Sequence, residues 1–118
     1  MNKLVLIGNM TRDAEVKAYG KGKNAGTVCN VDIAVNRKYK NEDGEYDTDF
    51  FRCTAFGKTA EFIEEYTEKG CKIALDCELR NNNYEDNDGN MVYNDQILIN
   101  NVEIMKHSDN VDKKGKRR

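Results

Sequence analysis

Hydrophobic and polar residues alternate along two segments of the chain, with the period of two that is typical of half-buried β-strands. The first segment, residues 28–35, has the apolar set Cys29, Val31, Ile33 and Val35. In the second, residues 50–56, the alternation assigns Phe51, Cys53 and Ala55 to one face and Phe50, Arg52, Thr54 and Phe56 to the other. A short apolar run, residues 4–7, ends at Gly8 and predicts a buried strand.

The apolar spacing becomes helical after Gly57. Phe62, Ile63 and Tyr66 share one face of a helix predicted at residues 59–69, and Gly70 follows as a stop. Further strands are predicted at residues 71–79 and 92–105, joined by a polar arm, residues 80–91, that turns at Asp88-Gly89. Asp43-Gly44 predicts a hairpin turn, and three glycines in residues 19–26 predict a flexible loop.

The resulting order, β-β-β-α-β-β, predicts an all-β fold: a five-stranded OB-fold barrel with one short helix between strands three and four. In this fold, the loops between strands one and two and between strands four and five frame a groove for nucleic acid or sugar. Residues 1–106 form the predicted domain. We expect residues 107–118 to be a basic, disordered tail.

The composition is that of one folded domain with a modest core. Of 118 residues, 34% are charged and 8% are aromatic, with neither Pro nor Trp. A chain of this length buries roughly two-thirds of its unfolded surface, so association with further copies would add stability. The apolar run at residues 4–7 is too short for a signal peptide or a membrane span. We therefore expect a cytoplasmic protein with no membrane partner.

Residues that usually carry catalysis or bind metals are scarce. Cys29, Cys53, Cys71 and Cys77 lack the two-residue spacing of a zinc knuckle, and His107 is the one imidazole in the sequence. In a reducing cytosol, such cysteines are predicted to be small, buried apolar residues. The sequence predicts no enzyme, no metal site and no cofactor.

The net charge of −2 is distributed unevenly. Residues 1–60 carry ten Lys or Arg against eight Asp or Glu, residues 61–106 four against eleven, and residues 107–118 five against two. Attraction to phosphate depends on where charges lie rather than on their total. The N-terminal half is therefore the candidate contact surface, although charge by itself favours an ordinary solvated surface.

The face that holds Phe50, Arg52 and Phe56 is a poor core face, because burying a guanidinium group without a partner is costly. Two rings beside a cation on an outward face would suit stacking on bases while the cation meets phosphate. In an alternative interpretation, one phenylalanine wraps around the sheet edge into the core. The pattern leaves both interpretations open.

Four segments resemble the bacterial single-stranded DNA-binding protein family: NKLVLIGNMTRDAE, NVDIAVNRKYKNEDGE, TDFFRCTAFGKTAE and EYTEKG. They follow the family's order over residues 1–106. The resemblance implies an OB-fold domain that binds single-stranded DNA without sequence preference and protects it during replication, recombination and repair. It also implies a homotetramer without catalytic activity, associated with the nucleoid.

The resemblance also implies which residues form the binding site, because the family's site residues can be matched motif by motif to positions in this sequence. The family's base-stacking aromatics correspond to Tyr39, Phe50, Phe56 and Tyr84. Its phosphate-facing cations correspond to Lys3, Arg52, Lys58, Lys69 and Arg80. The resemblance implies no catalytic or metal-binding residue.

The chain departs from the family at several positions. Ala14 and Cys77 stand where the family often has Pro and Gly, and residues 81–83 are asparagines where its arm is usually basic. We therefore expect fewer phosphate contacts and a shallower dependence of binding on salt.

The chain ends in the basic segment HSDNVDKKGKRR, without the acidic tip that recruits replication and repair proteins in the family. Recruitment of such partners is therefore not carried over. The ending is consistent with a truncation, with a naturally short phage, plasmid or accessory relative, or with a solubilising tail.

Two other functions fit the same pattern. A scaffold for replication restart or recombination would bind protein partners first and DNA second. An RNA-binding OB module would contact 2′-hydroxyl groups and prefer RNA. Affinities for oligothymidine, oligouridine and duplex DNA would separate the nucleic acids, and titration with a candidate partner protein would test the scaffold.

Overall fold

The structure is a computed structural model that describes residues 1–20 and 26–108. These residues form eight strands and one helix. The order is β1 (Leu4–Met10), β2 (Glu15–Tyr19), β3 (Gly26–Lys40), β4 (Tyr46–Phe56), α1 (Gly57–Tyr66), β5 (Lys72–Asn81), β6 (Tyr84–Glu85), β7 (Met91–Val92) and β8 (Asp95–Lys106).

Five of the strands close into a barrel. β1 pairs with β5, β5 with β8, and β3 with β4, all antiparallel. A short parallel pairing joins β4 to β8 at Cys53 and Ile97. The barrel closes where β1 pairs with β3, with Met10 opposite Ile33. Because α1 lies between β4 and β5, the third and fourth barrel strands, the predicted OB-fold class is confirmed.

The core fills the inside of the barrel. Alternate residues of β3, β4 and β5 point inward and are fully buried, and the largest of them are Val31, Ile33, Ile73 and Leu75. Each such aliphatic side chain contributes about 1.5–3 kcal/mol by leaving water. The apolar alternation of residues 28–35 and 50–56 therefore determines which face of each strand is internal.

The four cysteines are buried, as expected for small apolar residues. Burial raises the pKa of the Cys29 thiol to about 11, from an ordinary value of 9.0. The contact with Cys77, together with burial, raises the pKa of Cys53 as well. The thiols of Cys29 and Cys53 are therefore uncharged in the folded protein near neutral pH.

Two glycines make the barrel's connections possible. A Cβ atom at residue 8 would lie 2.4 Å from the carbonyl oxygen of Ala34, so β1 approaches β3 only because Gly8 has no side chain. Gly57 has a φ of 63°, which lets β4 turn directly into α1.

The sequence analysis missed β2 and the two short strands of the arm, β6 and β7, and it misplaced the helix. β2 has one apolar side chain packed against the core, Val16, and it extends the barrel sheet by pairing with β3. α1 begins at Gly57 and ends at Tyr66, instead of spanning residues 59–69. It ends early because Thr67 is extended, and both its N–H and its hydroxyl donate to the carbonyl oxygen of Ile63, at 3.1 and 2.6 Å.

The apolar face of α1 also differs from the prediction. Ala60 and Ile63 are buried, whereas the Phe62 ring is 38% exposed. With its ten residues, α1 is too short to cross a membrane, and the described residues contain no other helix.

β3 and β4 are longer than predicted and project beyond the barrel as a hairpin, with residues 36–40 exposed. The turn at Asp43-Gly44 is confirmed. Gly44 has a φ of 79°, and the side-chain oxygen of Asn41 accepts the N–H groups of Asp43 and Glu45.

The polar arm contains a small hairpin formed by β6 and β7. Its tip is the predicted turn at Asp88-Gly89, where the N–H of Gly89 donates to the carbonyl oxygen of Asp86 at 3.1 Å. Of the loop predicted at residues 19–26, residues 21–25 lie outside the described part of the chain.

Candidate nucleic-acid interface

β4 separates its aromatic residues onto two faces. Phe51 packs against the core, beside the fully buried Cys53 and Ala55. Phe50 is 71% exposed and Phe56 is 44% exposed on the opposite face. Arg52 lies between them with its side chain half exposed. Both phenylalanines therefore lie outside the core, with a cation between them.

The outward-facing residues of β2, β3 and β4 form one continuous surface, called here the outer sheet. The register of β3 and β4 places Ala34 opposite Phe50, Asp32 opposite Arg52, and Val28 opposite Phe56. Small or short side chains on β3 thus flank the two rings. Both rings are exposed to solvent in this arrangement.

Tyr19 is an aromatic residue of the outer sheet that the sequence analysis missed. Its ring meets Phe56 edge to face, with centroids 5.9 Å apart and planes at 90°. It also covers Gly26, where a Cβ atom would lie 2.7 Å from the tyrosine oxygen. The sequence signal for this strand was the alternation of Val16 with its exposed neighbours in residues 15–19. This signal is weak because Val16 is the one residue of the strand that is partly buried.

Carboxylates neutralise the cations of the outer sheet. Nη1 of Arg52 lies 3.0 and 3.1 Å from the two carboxylate oxygens of Asp32, and Nη2 pairs with Glu15. Nε of Arg12 pairs with the same Asp32 at 3.0 Å. Arg12, Asp32 and Arg52 line the surface beside Phe50. Together with Glu15, these side chains carry no net charge.

Two other predicted phosphate-binding residues are also held by acids. Nζ of Lys3 lies 3.1 Å from Asp76, and Nε of Arg80 lies 2.9 Å from Glu78. The hydrogen bond from Arg80, with a second one from Asn100, lowers the pKa of Glu78. Exposed ion pairs of this kind contribute about 0–1 kcal/mol, so a phosphate group can replace the carboxylate at little cost.

The side chains of Lys58 and Lys69 differ from those of these residues in having no carboxylate partner among the described residues. Within residues 1–20 and 26–108, neither side chain makes an ion pair. Lys58 is the second residue of α1, two positions after Phe56, and it is exposed. It is therefore a cation next to the outer sheet that no described carboxylate neutralises.

The structure brings together only some of the nine predicted site residues. Phe50, Arg52 and Phe56 share the outer sheet, with Lys58 next to them. Tyr39 is 82% exposed on the projecting β3–β4 hairpin, and Tyr84 is 51% exposed on β6 in the arm.

The remaining predicted cations belong to other surfaces. Lys3 precedes β1 and is paired with β5, which β8 separates from β4 in the sheet order. Lys69 follows α1 and lines a groove with Lys72, Lys106 and His107. Arg80 lies near the end of β5, where the arm begins.

A closed five-stranded barrel with one helix between its third and fourth strands defines an OB-fold domain. The chain belongs to the Single-strand binding protein family, whose model matches residues 1–105.

Several curated proteins are similar over most of the chain. Single-stranded DNA-binding protein 1 of Clostridium acetobutylicum is 37% identical over 106 residues, which is 90% of this chain and 94% of that protein. Single-stranded DNA-binding protein 3 of Listeria innocua is 34% identical over 110 residues, 93% of this chain and 67% of that protein. Single-stranded DNA-binding protein 2 of Staphylococcus aureus is 34% identical over 106 residues, 90% and 73% of the two chains. These names describe DNA binding and not catalysis.

Proposed function

We propose that the chain binds single-stranded DNA without sequence preference and has no catalytic activity. The observation that carries the proposal is the exposure of Phe50 and Phe56 on either side of Arg52, in a member of this family. Every base has a π-face, so stacking on such rings is tolerant of sequence and contributes about 1–3 kcal/mol per base.

The proposed contacts are of two kinds. Bases stack on the exposed rings Tyr39, Phe50, Phe56 and Tyr84. Phosphates meet the cations Lys3, Arg52, Lys58, Lys69 and Arg80. Tyr19 supports this surface through its edge-to-face contact with the Phe56 ring.

The charge distribution indicates that base stacking contributes a large share of the binding free energy. Residues 61–106 carry four Lys or Arg against eleven Asp or Glu. Arg52, Lys3 and Arg80 must also exchange a carboxylate partner for phosphate. Each exchange leaves a carboxylate unpaired in solvent, where it attracts a cation of its own. The net number of cations released on DNA binding is therefore smaller. We therefore infer a shallow salt dependence.

Protection of single strands in replication, recombination and repair follows from such binding, because a covered strand is neither paired nor cut. The names of the relatives support DNA as the ligand. With DNA as ligand, the proposed location is the cytoplasm, at the nucleoid.

Binding of fluorescently labelled oligothymidine, oligouridine and duplex DNA of equal length tests the proposal. Oligothymidine is expected to bind more tightly than the duplex, because stacked duplex bases do not present their faces. Tighter binding of oligouridine would indicate an RNA-binding module instead. Failure to bind any of the three would overturn the proposal.

We also propose that the chain forms a homotetramer. One edge of β1 pairs with β5 from Leu4 to Asn9, whereas among the described residues the other edge pairs with β3 only at Asn9 and Met10. Val5 and Ile7 of the same strand are 60% and 45% exposed. Pairing this free edge with a second copy across a two-fold axis would remove an aggregation liability.

Sedimentation of the full chain at micromolar concentration tests the assembly. A tetramer is expected, and Val5→Lys with Ile7→Lys is expected to shift the distribution to smaller species. A monomeric wild type would contradict the proposed tetramer. It would not affect the proposal of DNA binding, which the oligonucleotide titrations test separately.

A further inference from the structure

Three residues of types that bind transition metals meet at one place outside the outer sheet. Glu68 follows α1, Cys71 precedes β5, and His107 follows β8. One ligand atom from each lies within 4.8 Å of the other two. Nδ1 of His107 is 3.7 Å from Oε2 of Glu68. Glu68 and Cys71 are buried, whereas His107 is partly exposed.

The barrel itself brings these residues together. β5 and β8 run antiparallel, with Lys72 opposite Lys106. The residue before Lys72 is therefore placed beside the residue after Lys106, which sets Cys71 next to His107. A turn in which the N–H of Cys71 donates to the carbonyl oxygen of Glu68 at 3.0 Å adds the carboxylate.

The distance between His107 and Glu68 is close to that of two ligands in a tetrahedral zinc site. Zinc binds histidine nitrogen and carboxylate oxygen at about 2.1 Å, so the two atoms in a tetrahedral site are about 3.4 Å apart. The observed separation of 3.7 Å between His107 and Glu68 needs only a small side-chain adjustment. Three protein ligands leave one coordination position for water.

The chemistry of the donor set also fits zinc. A thiolate, an imidazole and a carboxylate together suit a cation of borderline softness, whereas Mg²⁺ and Ca²⁺ prefer oxygen ligands only. The thiolate and the carboxylate carry two negative charges. A divalent ion at this site would therefore leave no net charge on the buried ligands.

The surroundings supply the remaining features of a metal site. Nδ1 of His107 is buried and has no hydrogen-bond partner within the described residues. The N–H and the hydroxyl of Ser108 donate to Oε2 of Glu68 at 3.1 and 2.8 Å, which is the kind of outer support that orients ligating carboxylates. A groove that Lys69, Lys72 and Lys106 also line opens beside His107.

We propose that Glu68, Cys71 and His107 bind one divalent cation of the zinc type. The ion joins the segment after α1 to the end of β8, at a surface distinct from the outer sheet. Binding displaces the thiol proton of Cys71 to solvent. Because the ion binds the folded chain, it raises the melting temperature, and the stabilisation grows with the logarithm of the ion concentration once this exceeds the dissociation constant.

The test uses Co²⁺ as a spectroscopic probe on the reduced full chain carrying no added histidines. We expect uptake of one Co²⁺ per chain, with a thiolate-to-cobalt charge-transfer band and the strong visible absorption of four-coordinate cobalt. Zn²⁺ is expected to displace the cobalt and to raise the melting temperature.

Variants assign the ligands. Cys71→Ser is expected to abolish the charge-transfer band, and His107→Gln to weaken Co²⁺ binding at least about tenfold. Cys29→Ala is the matched control, because it removes another buried thiol and should leave the band unchanged. His107 is partly exposed and lies after the last strand, so its variant tests the site even if Cys71→Ser does not fold.

Three results would overturn the proposal. These are no uptake of Co²⁺ by the wild type, a charge-transfer band that survives in Cys71→Ser, or equal Co²⁺ affinity in His107→Gln. Any of them would leave the cluster as a hydrogen-bonded anchor for the end of β8, formed by Glu68 and Ser108.

Discussion

Arg52 and Asp32 face each other across β4 and β3, with Nη1 of the guanidinium group 3.0 and 3.1 Å from the two carboxylate oxygens. The same Arg52 also pairs with Glu15. The cation in the middle of the outer sheet is therefore already neutralised before any ligand arrives. In the proposed binding mode, DNA phosphate has to compete with these carboxylates for Arg52.

Asp32→Asn is expected to tighten binding of oligothymidine. The amide keeps the shape of the carboxylate but not its charge, so Arg52 and Arg12 lose an anionic partner. Each additional phosphate contact steepens the slope of log affinity against log salt by about 0.7 on a single strand. Glu65→Gln, which removes one negative charge from exposed α1, is the control. An unchanged slope in Asp32→Asn would show that Arg52 does not contact phosphate.

Phe50→Ala is expected to weaken binding of oligothymidine by about 1–3 kcal/mol, the contribution of one stacked base. The ring is 71% exposed, so the melting temperature should change little. A buried phenylalanine would instead cost about 3–5 kcal/mol of stability. Phe62→Ala removes a ring from α1 and should leave affinity unchanged. A collapsed melting temperature with normal affinity of the folded fraction would contradict the stacking role.

Asn81→Arg combined with Asn82→Lys should steepen the salt slope by about 0.7 for each new phosphate contact. Both side chains are exposed at the start of the arm. Asn83 is left intact because its side-chain oxygen accepts the N–H of Asn94 at 3.0 Å. Glu65→Lys changes the net charge by the same amount on α1 and serves as control. Equal slopes in the wild type and the double variant would mean that the arm does not follow the DNA backbone.

The free energy of unfolding is expected to fall as pH rises from about 9 towards 11. The unfolded chain releases the Cys29 thiol proton at its ordinary pKa of 9.0, whereas the folded chain retains it to about 11. The stabilisation is complete below pH 9 and is lost across this window, at about 1.4 kcal/mol per pH unit. Denaturant titrations at pH 7, 9 and 10 measure it. Cys29→Ala should show a smaller fall, and an identical fall in both proteins would exclude this thiol as the cause.

The local pattern of the sequence was sufficient for the barrel and for its inner and outer faces. Successive side chains of a strand point to opposite sides, so the alternation at residues 28–35 and 50–56 already separated Val31 and Ala55 from Phe50 and Phe56. The order of strands and helix then selected the OB-fold. Tyr19 was missed because β2 packs against the core through Val16, a single residue that carries no repeating pattern.

The partners of the charged and metal-binding side chains were decided only by the tertiary structure. Glu15 meets Arg52 because β2, β3 and β4 lie side by side in one register, and Cys71 meets His107 because β5 pairs with β8. A motif search by spacing found no metal site, since Glu68 and Cys71 follow α1 whereas His107 follows β8, far along the chain. Such contacts depend on closure of the barrel, where β1 crosses β3 at Gly8. Local periodicity determines which way a side chain points, but strand register between distant segments determines what it meets.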